Sequence, residues 1–263
     1  MTKKSLGQHW LNDQDSLEAM LSGADVQSED TVLEIGPGPG ALTQLLVAQA
    51  KQVIAVEFDP DLARDLPQRV PASNLTVVQR DILRFDFTSV PAGYKLVANI
   101  PYYLTSNLLR VACESPNPFS RAALLIQKEV AERVCAPPGS MSMLSVSVQF
   151  YCVASLGQKV PAELFTPPPK VDSQILLLQF RTQPLFPDID TKLFFRIVKA
   201  GFAQRRKTLL NSLSSGLHLS REDTTELLTM AKVAPTTRAQ NLSLEQWHGV
   251  YDCYLKQGLG QKA

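Results

Sequence analysis

Thr31-Val32-Leu33-Glu34-Ile35-Gly36-Pro37-Gly38-Pro39-Gly40-Ala41 runs from an apolar stretch, through a turn of alternating Gly and Pro, into a helix continuing over Leu42-Thr43-Gln44-Leu45-Leu46. A short apolar run ending in such a turn predicts a strand feeding a helix, the opening of an α/β unit. The pattern recurs outward from it. Val53-Ile54-Ala55-Val56-Glu57 reads as a second strand, with Pro60 fitted to the first turn of a helix. Leu75-Thr76-Val77-Val78-Gln79 reads as a third strand, ending at Asp81. Lys95-Leu96-Val97-Ala98 reads as a fourth, ending at Asn99, and Ala122-Ala123-Leu124-Leu125-Ile126 as a fifth. Buried strands separated by helices at this interval predict a parallel, doubly wound sheet. Further strands are expected at 146–153 and 175–180, on either side of the Pro-rich loop Thr166-Pro167-Pro168-Pro169. Beyond Pro184 and Pro187 the pattern changes, and 191–203, 205–214, 222–231 and 243–256 read as helices with no strand between them. The expected organisation is an α/β domain over 1–184 and a small all-helical domain over 185–263.

The chain of 263 residues is 44% hydrophobic and 19% charged, values of a globular rather than a disordered protein. It holds no apolar run near the roughly 20 residues of a membrane helix. Met1-Thr2-Lys3-Lys4-Ser5-Leu6-Gly7 lacks the apolar region of a secretory signal, so a cytoplasmic protein with no membrane partner is expected. Cys113, Cys135, Cys152 and Cys253 form no CxxC pair, and His9, His218 and His248 are equally dispersed. That spacing gives no support to a metal site or a disulfide framework. No GxSxG nucleophile elbow is present. Charge divides unevenly: residues 1–180 carry 14 Lys+Arg against 18 Asp+Glu, residues 181–263 carry 12 against 7. A basic carboxyl-terminal part is suited either to a polyanion or to an ordinary solvated helical surface.

The Gly-rich turn admits two ligands. GxGxxA is a tolerated variant of the dinucleotide fingerprint, and Glu57 would then bind a ribose. S-adenosylmethionine uses more of the residues present. Its ribose diol needs a carboxylate, which Glu57 provides, and its adenine amine needs an acceptor, which Asp81 provides. Pro37 and Pro39 remove two N–H donors, which hinders a grip on pyrophosphate and leaves a cationic methionine tail unaffected. Strands ending successively in Gly36, Glu57, Asp81 and Asn99 make a concerted series.

Asn99-Ile100-Pro101-Tyr102 extends that series to a second ligand. An exocyclic adenine amine is a poor nucleophile because its lone pair is delocalised into the ring. The Asn99 side-chain oxygen and the Ile100 carbonyl, accepting its two hydrogens, would favour a pyramidal nitrogen and free that pair. Tyr102 would stack on a base removed from its helix.

With these motifs the chain resembles, nearly end to end, the bacterial small-subunit rRNA adenine N6,N6-dimethyltransferases. Gly7-Gln8-His9-Trp10-Leu11-Asn12-Asp13 is similar to that family's GQ(H/N)FLxD segment, with Trp10 in place of Phe. Asn99-Ile100-Pro101-Tyr102 is similar to its N(L/I)PY motif, followed by Tyr103-Leu104-Thr105 where the family often has Asn-Ile-Ser at the lip of the base pocket. Phe165-Thr166-Pro167-Pro168-Pro169-Lys170-Val171-Asp172-Ser173 is similar to FxPPPxVxS, and Gln204–Asn211 to QRRKT(L/I)xN. The resemblance implies a Rossmann-like class I S-adenosylmethionine-dependent methyltransferase domain carrying a helical RNA-recognition domain. It implies cofactor contacts from His9, Leu11, Gly36, Glu57, Asp81 and Asn99, and a target base held by Asn99, Ile100, Tyr102 and Phe165. It also suggests that Arg205, Arg206 and Lys207 open a helix and reach RNA phosphates.

The implied reaction is N6,N6-dimethylation of two adjacent adenosines in the 3′-terminal hairpin loop of 16S rRNA. Its substrate would be the immature small ribosomal subunit, and the enzyme a monomer using S-adenosyl-L-methionine and no metal. A 23S rRNA adenine methyltransferase of the macrolide-resistance type and a non-catalytic ribosome-assembly or RNA-binding factor are the alternatives. A DNA adenine methyltransferase lacks an obvious target-recognition domain here, and a nicotinamide enzyme leaves most of the motifs without a use.

Overall fold

The computed structural model describes residues 9–187 and 189–259, so Gly7 and Gln8 of the amino-terminal motif lie outside the described residues. In chain order the elements are β1 (Trp10–Leu11), α1 (Gln14–Gly23), β2 (Thr31–Ile35), α2 (Ala41–Gln49), β3 (Gln52–Glu57), α3 (Pro60–Arg69), β4 (Leu75–Gln79) and β5 (Lys95–Asn99). Next come α4 (Thr105–Cys113), β6 (Arg121–Gln127), α5 (Lys128–Val134), α6 (Met143–Tyr151), β7 (Cys152–Val160), β8 (Phe165–Thr166) and β9 (Ser173–Phe180). The chain ends in α7 (Thr191–Phe202), α8 (Leu209–Leu217), α9 (Arg221–Met230) and α10 (Leu244–Lys256).

Two compact units result: residues 1–132 with 151–182, and residues 133–150 with 183–263. In the first, the main sheet has the order β4-β3-β2-β5-β6-β9-β7. β4, β3, β2, β5 and β6 run parallel, while β9 is antiparallel to β6 and β7 antiparallel to β9. Val32, Leu33, Val53, Leu96, Val97, Ala123 and Leu125 are fully buried, as expected of parallel strands covered on both faces. From β2 the chain builds outward to β3 and β4 on one side, then returns to add β5 on the other. The carboxyl ends of β2 and β5 therefore flank the point where strand order reverses, the usual ligand crevice of an open α/β sheet. The short strands β1 and β8 form a separate pair, with Leu11 opposite Phe165.

The structure departs from the expected elements in three places. The stretch 146–153 is not a strand, because α6 occupies most of it and β7 begins only at Cys152. Ser142 and Ser145 start that helix reciprocally: Ser145 N–H donates to Ser142 Oγ (3.2 Å) and Ser142 N–H to Ser145 Oγ (2.9 Å). The apparent two-residue alternation instead places Ser145, Val146, Val148 and Phe150 in the interior. A single division at 184/185 does not describe the two units either, since 133–150 belongs with the carboxyl-terminal part. The reason is aromatic packing. Phe150 lies with its ring centroid 5.0 Å from Phe194, 5.2 Å from Phe195 and 6.2 Å from Phe186.

The third departure concerns the basic triplet. Arg205, Arg206 and Lys207 do not open a helix; they form the turn between α7 and α8. Thr208 is extended (φ −72°, ψ 160°), and the first free donors of α8 are met from elsewhere: Leu209 N–H by Thr237 O (2.7 Å) and Leu210 N–H by Pro235 O (3.3 Å).

Truncating Phe150 removes the ring by which α6 packs against Phe186, Phe194 and Phe195. Phe150→Ala is expected to lower stability by about 3–5 kcal/mol, read from urea unfolding. A loss below roughly 1 kcal/mol would show that α6 does not contribute the packing assigned to it.

Candidate active site

A crevice at the carboxyl ends of β2, β3 and β5 is lined by His9, Leu11, Gly36, Glu57, Asp81, Asn99, Ile100, Tyr102 and Phe165. Its volume of roughly 280 Å³ approaches the lower end of small-molecule sites, about 300 Å³. The structure thus gathers every expected cofactor and base residue around one cavity. Arg205, Arg206 and Lys207 belong to the second unit, where all three are exposed and have no ion-pair partner among the described residues.

The floor of the crevice is the loop Gly36–Gly40. Gly36 N–H donates to Val56 O (2.9 Å), Gly40 N–H to Pro37 O (3.0 Å), and Gly38 N–H to Glu57 Oε2 (3.1 Å). Pro37 and Pro39 have no N–H, so no backbone donor remains free between Gly36 and Gly40. Gly38 sits at φ +56°, and a Cβ there would meet Trp10 Nε1 at 3.4 Å; only glycine takes this conformation without strain. Glu57 Oε1 also accepts from Asp59 N–H (2.8 Å). Burial raises the pKa of this carboxyl above the ordinary range, and the backbone donors of Asp59, Gly38 and Phe58 oppose that rise. Asp81 uses Oδ1 to accept from Leu83 N–H (3.0 Å), capping the short turn Ile82–Arg84.

Glu34 was not singled out by sequence reasoning, yet it lines the same cavity at only 1% exposure. Neither of its carboxyl oxygens has a hydrogen bond among the described residues. Burial pushes its pKa to about 8; the Thr43 hydroxyl beside it lowers the value in part, without forming a bond of good geometry, and the Glu57 charge raises it. It is mostly neutral at pH 7. With Glu57 and Asp81 it gives the cavity a wall of carboxyl groups, against which Arg80 stands as the one Lys or Arg of the lining among the described residues.

The amino-terminal segment reaches over this floor and fixes Asn99. Asn99 Nδ2 donates to His9 O at 3.1 Å. A carbonyl can only accept, so this contact identifies the amide nitrogen and turns Oδ1 away from it. The His9 ring is itself held, with Nδ1 2.7 Å from Pro167 O and the imidazole stacked on Tyr102 (5.9 Å, 24°). Ile100 is buried and donates its N–H to Leu125 O (3.1 Å). The Tyr102 hydroxyl lies 2.9 Å from Ser173 Oγ, and burial raises its pKa. Ser173 stands in the Pro-rich motif that sequence reading quoted, although without a role. Phe165 is almost wholly buried, packed in the core that also contains Leu11.

Among the described residues there is no group of three His, Cys, Asp or Glu able to hold a metal, and no helix long and apolar enough to cross a membrane. The fold and its acidic crevice are those of a Rossmann-like methyltransferase. A family model described as ribosomal RNA adenine dimethylase matches residues 1–256. A relative from Dehalococcoides mccartyi, named ribosomal RNA small subunit methyltransferase A, is 41% identical over 249 residues, covering 93% of this chain and 86% of its own. The crystal structure of a dimethyladenosine transferase from Plasmodium falciparum superposes with a TM-score of 0.80 at 26% identity, covering 95% of this chain and 98% of that one. That of the 23S rRNA methyltransferase ErmE gives 0.75 at 28% identity, covering 93% and 98%. The chain belongs to the ribosomal RNA adenine dimethylase family and is an rRNA adenine dimethyltransferase.

An acid whose pKa is higher folded than unfolded stabilises the fold most at low pH. Glu34 should therefore cost stability progressively as pH rises from 4.5 towards about 8. The slope contributed is at most about 1.4 kcal/mol per pH unit. Glu34→Gln should flatten the decline of stability over that window in denaturant titrations, leaving the weaker slope of Glu57. An unchanged profile would show that Glu34 is not the buried acid described.

Proposed function

We infer that the chain dimethylates N6 of two adjacent adenosines in the 3′-terminal hairpin loop of 16S rRNA, within an immature small subunit, taking methyl groups from S-adenosylmethionine. The observation that carries this reading is the orientation of Asn99, whose amide nitrogen is held by the His9 carbonyl. Its Oδ1 is thereby left to accept from an adenine amine. The Ile100 carbonyl accepts the second amine hydrogen, and the pair favours a pyramidal nitrogen with an available lone pair. Tyr102, tethered through Ser173, stacks on the extruded base with the face that His9 does not cover. Phe165 supports the pocket from the core side.

S-adenosylmethionine supplies a methyl group on an excellent leaving group, so the protein has mainly to align and desolvate. The residues present fit that ligand. Glu57 and Asp81 each have acceptor capacity beyond their backbone bonds, for a ribose diol and an adenine amine respectively. The carboxylates of Glu57 and Asp81 suit a cationic ligand, the neutral Glu34 adds polar oxygen beside them, and His9 and Leu11 close the cavity from the amino-terminal side.

Relatives named ribosomal RNA small subunit methyltransferase A, from Dehalococcoides mccartyi and Clostridium botulinum, are 40–41% identical over nearly the whole chain. Together with the Gln204–Asn211 signature, this favours the small-subunit target. Arg205, Arg206 and Lys207, on an exposed turn, contact RNA phosphates. The enzyme acts as a cytoplasmic monomer.

Labelled methyl transfer to unmethylated small subunits, mapped by nucleoside and position, tests this directly. Dimethyladenosine is expected at the paired loop adenosines. Asn99→Ala should lower kcat on the order of 100-fold or more, the scale of losing one preorganised polar group. Its affinity for subunits should stay within a few-fold. Transfer to 23S rRNA instead would overturn the substrate, and undiminished turnover in Asn99→Ala would overturn the role of its amide.

A further inference from the structure

Two exposed aromatic side chains at this cavity have no role so far. Tyr103 is 61% exposed and Phe58 is 55% exposed, the highest values among the large hydrophobic residues described. The others with high exposure, Val153, Leu156, Val171, Met230 and Leu255, are not aromatic, and none lines the cavity. Singly exposed apolar residues are ordinary on a protein surface. Here, however, the two most exposed are both aromatic and both line the same crevice.

Their positions divide them. Phe58 follows Glu57 at the end of β3, and its carbonyl accepts from Gln79 on β4, so it stands on the side of the ribose and adenine acceptors. Tyr103 stands on the other side, after β5. It follows Tyr102 directly within the 3-10 turn Tyr102–Leu104. The contrast between the neighbours is sharp. Tyr102 has its hydroxyl bonded and one ring face covered, whereas Tyr103 has neither a hydrogen bond nor a ring contact among the described residues.

We propose that Tyr103 forms a second base-stacking subsite, taking the nucleobase next to the adenosine held by Asn99 and Tyr102. This rests on the reading of the crevice as the site of an RNA adenosine. Extruding one base removes a stacking partner from its neighbour, and an unpartnered aromatic ring beside the entry point replaces it. Stacking of this kind tolerates any base, because every base presents a π-face. It suits a substrate in which each of two adjacent adenosines enters in turn while the other waits outside.

The test compares Tyr103→Ala and Tyr103→Phe with the unaltered protein, using unmethylated small subunits and S-adenosylmethionine. KM for subunits should rise by roughly 5- to 150-fold in Tyr103→Ala, the range for loss of one base–aromatic stack, with a smaller fall in kcat. Tyr103→Phe keeps the ring and should restore most of that loss. Calorimetric affinity for S-adenosylmethionine, measured on both variants, reports whether the first unit is folded. An unchanged KM in Tyr103→Ala overturns the subsite, and so does a Tyr103→Phe variant as impaired as Tyr103→Ala, which would point to the hydroxyl. If the unaltered protein methylates no RNA, the functional reading itself fails and the subsite falls with it.

Discussion

The hydrogen bond from Gly38 N–H to the Glu57 carboxylate, 3.1 Å, joins the loop after β2 to the end of β3 and determines what the crevice can hold. Gly36 and Gly40 bond to Val56 and Pro37, and the two prolines offer nothing to donate. The loop therefore offers the cavity no row of free N–H groups, and the Glu57 carboxyl stands beside it. A pyrophosphate requires such a row, and a nicotinamide dinucleotide would find it missing between Gly36 and Gly40. A ligand carrying positive charge meets the opposite situation. The backbone donors of Gly38 and Asp59 offset part of the rise that burial imposes on Glu57, whereas Glu34, with no hydrogen-bond donor among the described residues, rests mainly in the neutral form.

A second constraint lies one strand away. Asn99 and Tyr102, the two side chains that would meet the target base, are each held by a residue distant in sequence: His9 for the first, Ser173 for the second. Neither amide nor ring has to find its orientation when the base arrives. Preorganised groups of this kind act without reorganisation at the moment of reaction, which is where a methyl transfer with a good leaving group gains most from its protein. The β1–β8 pair serves the same end, bringing Leu11 beside Phe165 and carrying His9 to the cavity.

Much of this was legible in the sequence, for a physical reason. The central parallel strands β2, β3 and β5 are largely apolar runs buried on both faces, so the polar or glycine residue that closes each marks a strand end. The edge strand β4, only partly buried, ends two residues before Asp81. The sequence thus carries enough to put Gly36, Glu57, Asp81 and Asn99 at one sheet edge. The antiparallel half was less legible. β7 is an edge strand whose residues are largely exposed, and its sequence carries no apolar run to announce it. The preceding Val-Ser-Val alternation fits a strand as well as a helix, and only the Ser142–Ser145 cap and the place of Phe150 among Phe186, Phe194 and Phe195 decide between them. The start of α8 is hidden in the sequence for a similar reason, because its first donors are met by Thr237 and Pro235, 28 and 25 residues on. Glu34 escaped notice because a carboxylate inside an apolar strand gives no sign, in sequence, of lacking a partner.

Fixed acceptors raise a question peculiar to dimethylation. Asn99 is held through its amide nitrogen, and Ile100 through its N–H to Leu125 O, so neither acceptor is free to follow a changed base. An unmethylated amine offers both of them a hydrogen; a monomethylated amine offers one. With Asn99 and Ile100 as the proposed acceptors, the second transfer would leave one of them without a donor, at a cost of about 1–3 kcal/mol for a buried polar group. That corresponds to a slowing of roughly 5- to 150-fold, large enough to separate the two steps in time but far from preventing the second. The methyl already present partly compensates, since alkylation makes the nitrogen more electron-rich. A site built on two rigid acceptors can therefore complete both transfers without rearranging, provided the singly methylated base stays bound long enough for a fresh donor molecule to enter.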